Sequence, residues 1–287
     1  MTYCQYIPKP PVSAFVQCLW YSEGSPGPHA YERLLPNGES SIVIDLREQP
    51  VCIYDGQDIA KFDSYAPAIF CGARSDCFVI DTSRQERVIG IQFQPGGAYP
   101  FLRMPACEVA DTTCELEDIW PGQAALLREE LLGAASPASM FAILERKLVA
   151  ALKLDVSQPR GLGFAMRRLA APAANLRVRD VAESLGMSSR RFMELFRTHT
   201  GLTPKAFQQV RRFQQVLEAL HTGATGRGRH PERNREPDWD RNWASLAAGC
   251  GYYDQPHFIH DFRRFSGMTP SAYLASATTH RNHVPIG

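Results

Sequence analysis

Arg190, Arg191, Glu194 and Arg197 recur at helical spacing within Val178–Phe207, opposite Phe192, Leu195 and Phe196. Apolar residues at i, i+3 and i+4 make a buried stripe, so the charged set falls on the outer face of a helix. Farther on, His257, His260, Asp261 and Arg264 lie opposite Phe258, Phe262 and Phe265 in the same manner. Such sets suit hydrogen bonding to an extended polyanion. A guanidinium fits guanine or phosphate bidentately, glutamine fits adenine and glutamate fits cytosine. Other chemistries lack their residues. Residues 1–159 hold a single histidine, His29, and no two cysteines are spaced Cys-x-x-Cys. No catalytic residue, metal or cofactor is therefore expected.

The elements that must position these side chains form an internal repeat. Ala182 and Gly186 match Ala247 and Gly251, and Phe192, Phe196, Gly201, Thr203 and Pro204 match Phe258, Phe262, Gly267, Thr269 and Pro270. Each unit reads as a helix, a glycine turn that tolerates positive φ, a capped second helix and a stop glycine. Ser188 is the expected cap of the first outer helix and Asp254 of the second. Thr203-Pro204 and Thr269-Pro270 open the next helices. A helix over Pro204–His221, with Phe207, Val210, Gln214, Leu217 and Leu220 on one face, spans roughly 27 Å. It can hold two outer helices about one DNA turn, roughly 34 Å, apart. Gly223–Asn242 is polar, with five arginines against four acids, and reads as a flexible insertion.

Charge divides the chain. Residues 1–159 carry 12 Lys and Arg against 20 Asp and Glu, whereas residues 160–287 carry 19 against 10. A basic half on an acidic half implies a polyanion at one end only. No apolar run is long enough to span a membrane, and the N-terminus lacks the layout of a signal peptide, so a cytoplasmic location is expected.

The first 120 residues read as short strands: Ser40–Leu46, Val51–Tyr54, Ala68–Cys71, Phe78–Asp81 and Val88–Phe93, separated by turn residues. Their spacing favours a small barrel or sandwich over a parallel sheet. Two helices follow in Pro121–Leu154, divided at Ser136-Pro137, with Leu126, Leu127 and Leu131 in the first and Phe141, Leu144, Leu148 and Leu152 in the second as an apolar stripe. That stripe serves either the domain's own core or a dimer face. The expected fold is α+β: a cupin-like β-barrel or sandwich with two following helices over 1–155, a linker at 156–163, an all-α domain with two helix-turn-helix motifs over 164–277 (223–242 inserted), and a tail at 278–287.

The second half resembles the DNA-binding domain of the AraC/XylS bacterial transcription regulators. The resemblance rests on Val181-Ala182…Leu185-Gly186-Met187-Ser188, Arg191-Phe192…Phe196-Arg197…Gly201-Leu202-Thr203-Pro204 and the run Gly251–Pro270. Leu35-Pro36-Asn37-Gly38 and Gly90–Gly97 resemble an uncharacterised subgroup's N-terminal domain. The resemblance implies a seven-helix unit with two helix-turn-helix motifs. It places base reading on Arg190, Met193 and Glu194, and on Gln255, Pro256, His257, Ile259 and His260. Ser188, Ser189, Arg197, Arg264 and Lys205 are better suited to phosphate, and Arg191 and Asp254 complete the expected DNA-facing set. The partners implied are double-stranded promoter DNA, a small-molecule effector and a second copy of the chain in a homodimer. The effector is expected in the β domain, near Ile42–Leu46 and Ile89–Phe93. Two rivals remain at this point: a thiol-sensing regulator using Cys71 and Cys77, which flank a turn, and a cysteine alkyl-acceptor enzyme with a regulator-like tail.

Overall fold

The computed structural model describes residues 2–24, 29–47, 49–152, 159, 161–171, 176–224, 239–276 and 280–286. Its first half is two antiparallel sheets and three helices. The strands are β1 (Thr2–Tyr6), β2 (Val16–Glu23), β3 (Tyr31–Leu34), β4 (Ser41–Asp45), β5 (Val51–Asp55), β6 (Phe62–Tyr65), β7 (Ala68–Cys71), β8 (Phe78–Asp81), β9 (Arg87–Phe93) and β10 (Thr113–Glu115). An eleventh, β11 (His283–Ile286), comes from the far end of the chain. The order is β1-β2-β9-β4-β7-β10 in one sheet and β11-β3-β8-β5-β6 in the other. All five strands expected from the sequence are present within one residue at each end.

Alternation along the strands sends successive side chains to opposite faces. Val43, Ile69 and Cys71 of the first sheet meet Val51, Ile53 and Ile80 of the second. Ile42, Ile44, Phe70, Ile89 and Ile91 point the other way, into the main core. There they meet α2 (Ala124–Leu132) and α3 (Pro137–Ala151), which follow the one-turn α1 (Leu116–Ile119). Ser136 caps α3 by accepting from the Ser139 amide, with Pro137 at the first helical position. Leu126 turns out to solvent, 55 % exposed, but Leu127, Leu131, Phe141, Leu144 and Leu148 lie in this core and Leu152 packs against it, so the rest of the apolar stripe serves the domain itself. Each such side chain, fully buried, contributes about 1.5–3 kcal/mol. The result is a sandwich with helices over one outer face. The expected effector positions are closed: Ile42, Ile44, Leu46, Ile89, Ile91 and Phe93 are all at most 4 % exposed.

Seven helices follow among the described residues: α4 (Leu162–Ala170), α5 (Val178–Ser184), α6 (Ser189–Thr200), α7 (Pro204–Ala224), α8 (Trp239–Gly249), α9 (Gln255–Ser266) and α10 (Pro270–Ala275). α4 starts inside the segment expected as linker, and residues 153–158 and 160 of that region lie outside the described residues. The expected insertion is shorter at both ends, since α7 runs to Ala224 and α8 begins at Trp239; residues 225–238 also lie outside the described residues. Two cores fill this half. Phe192, Phe196, Leu202 and Phe207 join Leu162, Leu169 and Val181 in one. Phe213, Leu217, Leu220, Trp243, Phe258, Phe262 and Phe265 form the other.

The expected tail is structured where it is described. β11 pairs antiparallel with β3, from His283 opposite Leu34 to Ile286 opposite Tyr31. Val284 is 1 % exposed and packs in the second helical core, which Leu35 and Cys77 of the first half also enter. The two halves thus share buried side chains.

Candidate nucleic-acid interface

Each outer helix is built by the local chemistry expected of it. In the first unit α5 ends at Gly186, whose φ is 65°, and the Met187 amide turns back to the Ala182 carbonyl. Ser188 then accepts from the Arg191 amide at 3.3 Å and starts α6. In the second, Gly251 has φ 79° and Asp254 accepts from the His257 amide at 2.8 Å to start α9. Thr203 and Thr269 cap α7 and α10 through the Ala206 and Ala272 amides, each at 3.1 Å.

The outer face of α6 is open. Arg190, Arg191, Met193, Glu194 and Arg197 are exposed, and so are Ser188 and Lys205; Ser189 is half-buried. On α9, Pro256, His260, Arg263 and Arg264 are exposed, while Gln255, His257 and Ile259 are half-buried. Asp254 is exposed but its carboxylate is spent on the helix cap, which accounts for its residue type without a DNA contact. Arg263 and Tyr253 stand open beside the expected residues, and Tyr253 is 92 % exposed in the turn before α9.

Both outer helices end against the first half. In the last turn of α6, His199 Nδ1 donates to the Leu195 carbonyl at 2.8 Å, and the centre of its ring lies 4.1 Å from that of Tyr99. Burial pushes its imidazole below the usual histidine range. After α9, Gly267 lies against the guanidinium of Arg33, which donates to the Gly56 carbonyl. Between them, Gln214 of α7 is 4 % exposed and donates to the Pro36 carbonyl at 2.8 Å and to Asn282 Oδ1 at 3.0 Å. Arg211 stands 3.6 Å from Glu39, which burial pushes up and which also accepts from Gln92. Leu35-Pro36-Asn37-Gly38 is therefore the seat of α7, a role with no signature in a single sequence.

The thiol candidates are poorly suited to sensing. Cys71 and Cys77 are 7 % and 8 % exposed, and burial pushes both thiols up. A reactive cysteine needs an exposed, electropositive setting that favours the thiolate. A cleft of about 750 Å³ opens at the β5–β6 hairpin, bounded by Tyr54, Phe62, Arg74, Phe78 and Asp111, with the mostly buried Cys77 in its wall.

Two helix-turn-helix units joined by one long helix, with arginines outermost, are the apparatus of a DNA-binding transcription regulator. Residues 171–209 match the family described as "Bacterial regulatory helix-turn-helix proteins, AraC family", so the chain carries the helix-turn-helix of that family. Residues 4–115 match a "Domain of unknown function (DUF6597)". No curated protein matches the chain. Among solved structures, ToxT from Vibrio cholerae O395 is similar at 11 % identity, over 91 % of this chain and 97 % of that one, with a TM-score of 0.43. A DNA-binding transcriptional dual regulator from Escherichia coli K-12 is similar at 20 % identity, over 42 % of this chain and 96 % of that one, with a TM-score of 0.28. A probable AraC family transcriptional regulator from Rhodopseudomonas palustris CGA009 aligns at 23 % identity, over 40 % and 92 %, with a TM-score of 0.29.

Proposed function

We propose that this chain is a sequence-specific transcription regulator that reads promoter DNA with α6 and α9 and is controlled through its N-terminal domain, residues 1–155. The observation that carries the reading is the repeat itself: two capped helices, each with an open polar face, held on one connecting helix. Arg190, Met193 and Glu194 read bases from α6; Gln255, Pro256, His257, Ile259 and His260 read them from α9. Ser188, Ser189, Arg191, Arg197, Lys205 and Arg264 hold phosphate. The chain acts by binding and not by catalysis, in the cytoplasm, as a homodimer. Leu126 of α2 and Val149 of α3, 55 % and 50 % exposed, support a dimer contact on the outer helices. A metabolite-sized effector fits the cleft at the β5–β6 hairpin.

Selection of bound sequences from a random pool, followed by titration over a range of salt, tests the reading. Arg190→Ala relaxes the preference at one position, by about 1–3 kcal/mol. Arg197→Ala weakens all sequences alike and lowers the salt slope by about 1. Unchanged preference in Arg190→Ala, together with salt-independent binding, overturns it.

A further inference from the structure

A charged side chain lies on the wrong face of α9. Asp261 is one of few buried carboxylates among the described residues, with its side chain 5 % exposed between Phe258 and Phe262 in sequence. Its Oδ2 has no hydrogen-bond partner, and neither has the buried hydroxyl of the neighbouring Tyr252. Burial pushes the Tyr252 phenol up, and the charge of Asp261 adds to the effect. A buried carboxylate without a donor is costly, and an apolar residue would fill this position at no such cost.

Two imidazoles on the same helix stand close to the Asp261 carboxylate. His257 Nε2 is 3.5 Å from Oδ2, and His260 Nδ1 is 3.8 Å from Oδ1. The His257 ring packs nearly perpendicular to that of Tyr252, with centres 5.3 Å apart, and Arg212 of α7 covers Tyr252 at 5.1 Å. His257 and His260 on α9 thus stand nearest the carboxylate and Tyr252 lies beside it, while Arg212 on α7 and Cys250 act in turn on Tyr252. Of the two imidazoles, His257 is the nearer and the less exposed, at 40 % against 79 %. It also sits in the first turn of α9, the part of a recognition helix that meets base edges.

We infer that Asp261 is a positioning residue for base recognition: its carboxylate fixes the orientation and tautomer of His257, and so decides what the second helix reads. A carboxylate facing Nε2 keeps the proton on that nitrogen and leaves Nδ1 as the acceptor of the neutral ring. The ring then suits a base-edge amino donor, such as adenine N6 or cytosine N4. Asp261→Asn keeps the shape, but its amide can donate to Nε2 and release the opposite tautomer. This role rests on the proposed DNA reading by α9.

The test uses the full chain and selection from a random DNA pool. Gln255→Ala, His257→Ala, Asp261→Asn and the His257→Ala/Asp261→Asn double variant are compared. Asp261→Asn should lose about tenfold in affinity and relax the same base position as His257→Ala, with no further loss in the double variant. Positions read by α6 should not move. If Gln255→Ala and His257→Ala leave every base preference unchanged, the DNA reading by α9 fails. If they change it and Asp261→Asn does not, the positioning role alone fails. Imidazole nitrogen NMR on the wild-type chain, with His257 assigned by His257→Ala, gives an answer even if Asp261→Asn does not fold. A proton held on Nε2 supports the inference, and the proton on Nδ1 or free tautomer exchange overturns it.

Discussion

Gly201 and Gly186 look interchangeable in the sequence, since each ends a helix of the first unit, yet their replacement by alanine should differ severalfold in cost. Gly186 has φ 65° and open space where a Cβ would stand. Alanine there carries only the penalty of a left-handed residue, about 1 kcal/mol. Gly201 has φ 87° and ψ −38°, which lies outside the left-handed well that L-residues tolerate. Backbone placed there costs about 2–3 kcal/mol. Its Cβ would also stand 3.2 Å from the Ala106 carbonyl oxygen, 3.3 Å from Ala110 Cβ and 3.5 Å from Ala73 Cβ, all in the first half. Neither a carbonyl nor a neighbouring methyl can rotate away. Gly201→Ala should therefore lose about 3 kcal/mol and Gly186→Ala about 1 kcal/mol. Urea unfolding of the full chain reads the difference as a shift in midpoint at constant slope. Equal losses in the two variants would refute the claim that the end of α6 is pressed against the β domain.

Two further perturbations probe the buried polar groups. Gln214→Leu removes the donor of two bonds, at 2.8 and 3.0 Å, and strands the Pro36 carbonyl; about 2–3 kcal/mol should be lost, whereas Gln208→Leu, a half-buried residue whose amide reaches the Leu176 carbonyl at 3.3 Å, should lose less. Asp45 is pushed up to about 6, chiefly by burial, against the pull of the Arg47 amide and of Arg128 and Arg47. A carboxyl that titrates higher when folded stabilises the fold below about pH 4 and loses that contribution as pH rises through about 6. Asp45→Asn should thus match the wild type at pH 4 and gain stability at pH 8, by at most about 3 kcal/mol in thermal or urea unfolding. A gain already present at pH 4 counts against the assignment.

The elements that surround the candidate site were the legible ones, because their signals are local. Gly186, Ser188, Gly201 and Thr203-Pro204 each mark an end, and Phe192 and Phe196 mark the inner face, without help from the rest of the chain. β4, β5, β7, β8 and β9 were legible for the same reason, being short β-branched runs between turn residues. β6 and β10 were not: Phe62–Tyr65 is mostly exposed, and Thr113–Glu115 is three residues held only by β7. Their strand character comes from a neighbour and not from a pattern. Gln214 was visible as a polar residue in an apolar stripe, but its reason lies 178 residues away at Pro36. Spacing places Asp261 on the outer face of its helix, and the structure turns it inward. At the edge of a helical stripe, one residue's angular position cannot say which side of the boundary it takes.

β11 is the sharpest case of a long-range reason, and it bears on how the two halves act together. Its four residues extend the β3 edge, and the Asn282 carbonyl accepts from the Leu35 amide at 2.9 Å. His283 holds the Glu32 carboxyl below the usual range across the same pair. Val284 meanwhile enters the core shared by α7, α8 and α9. One strand thus fastens the second outer helix's core to the sheet that bears the β5–β6 hairpin. Val284→Asp puts a carboxylate where only 1 % of the residue meets water, a cost of several kcal/mol unless the strand leaves. Leaving is the cheaper course, since a four-residue edge strand has one neighbour to lose. The Leu35 amide should then exchange with solvent at least tenfold faster, and footprinting should weaken over the DNA read by α9 while that read by α6 stays protected. Equal weakening over both would mean that Val284 supports the helical half as a whole, and that β11 is not a separate tether for α9.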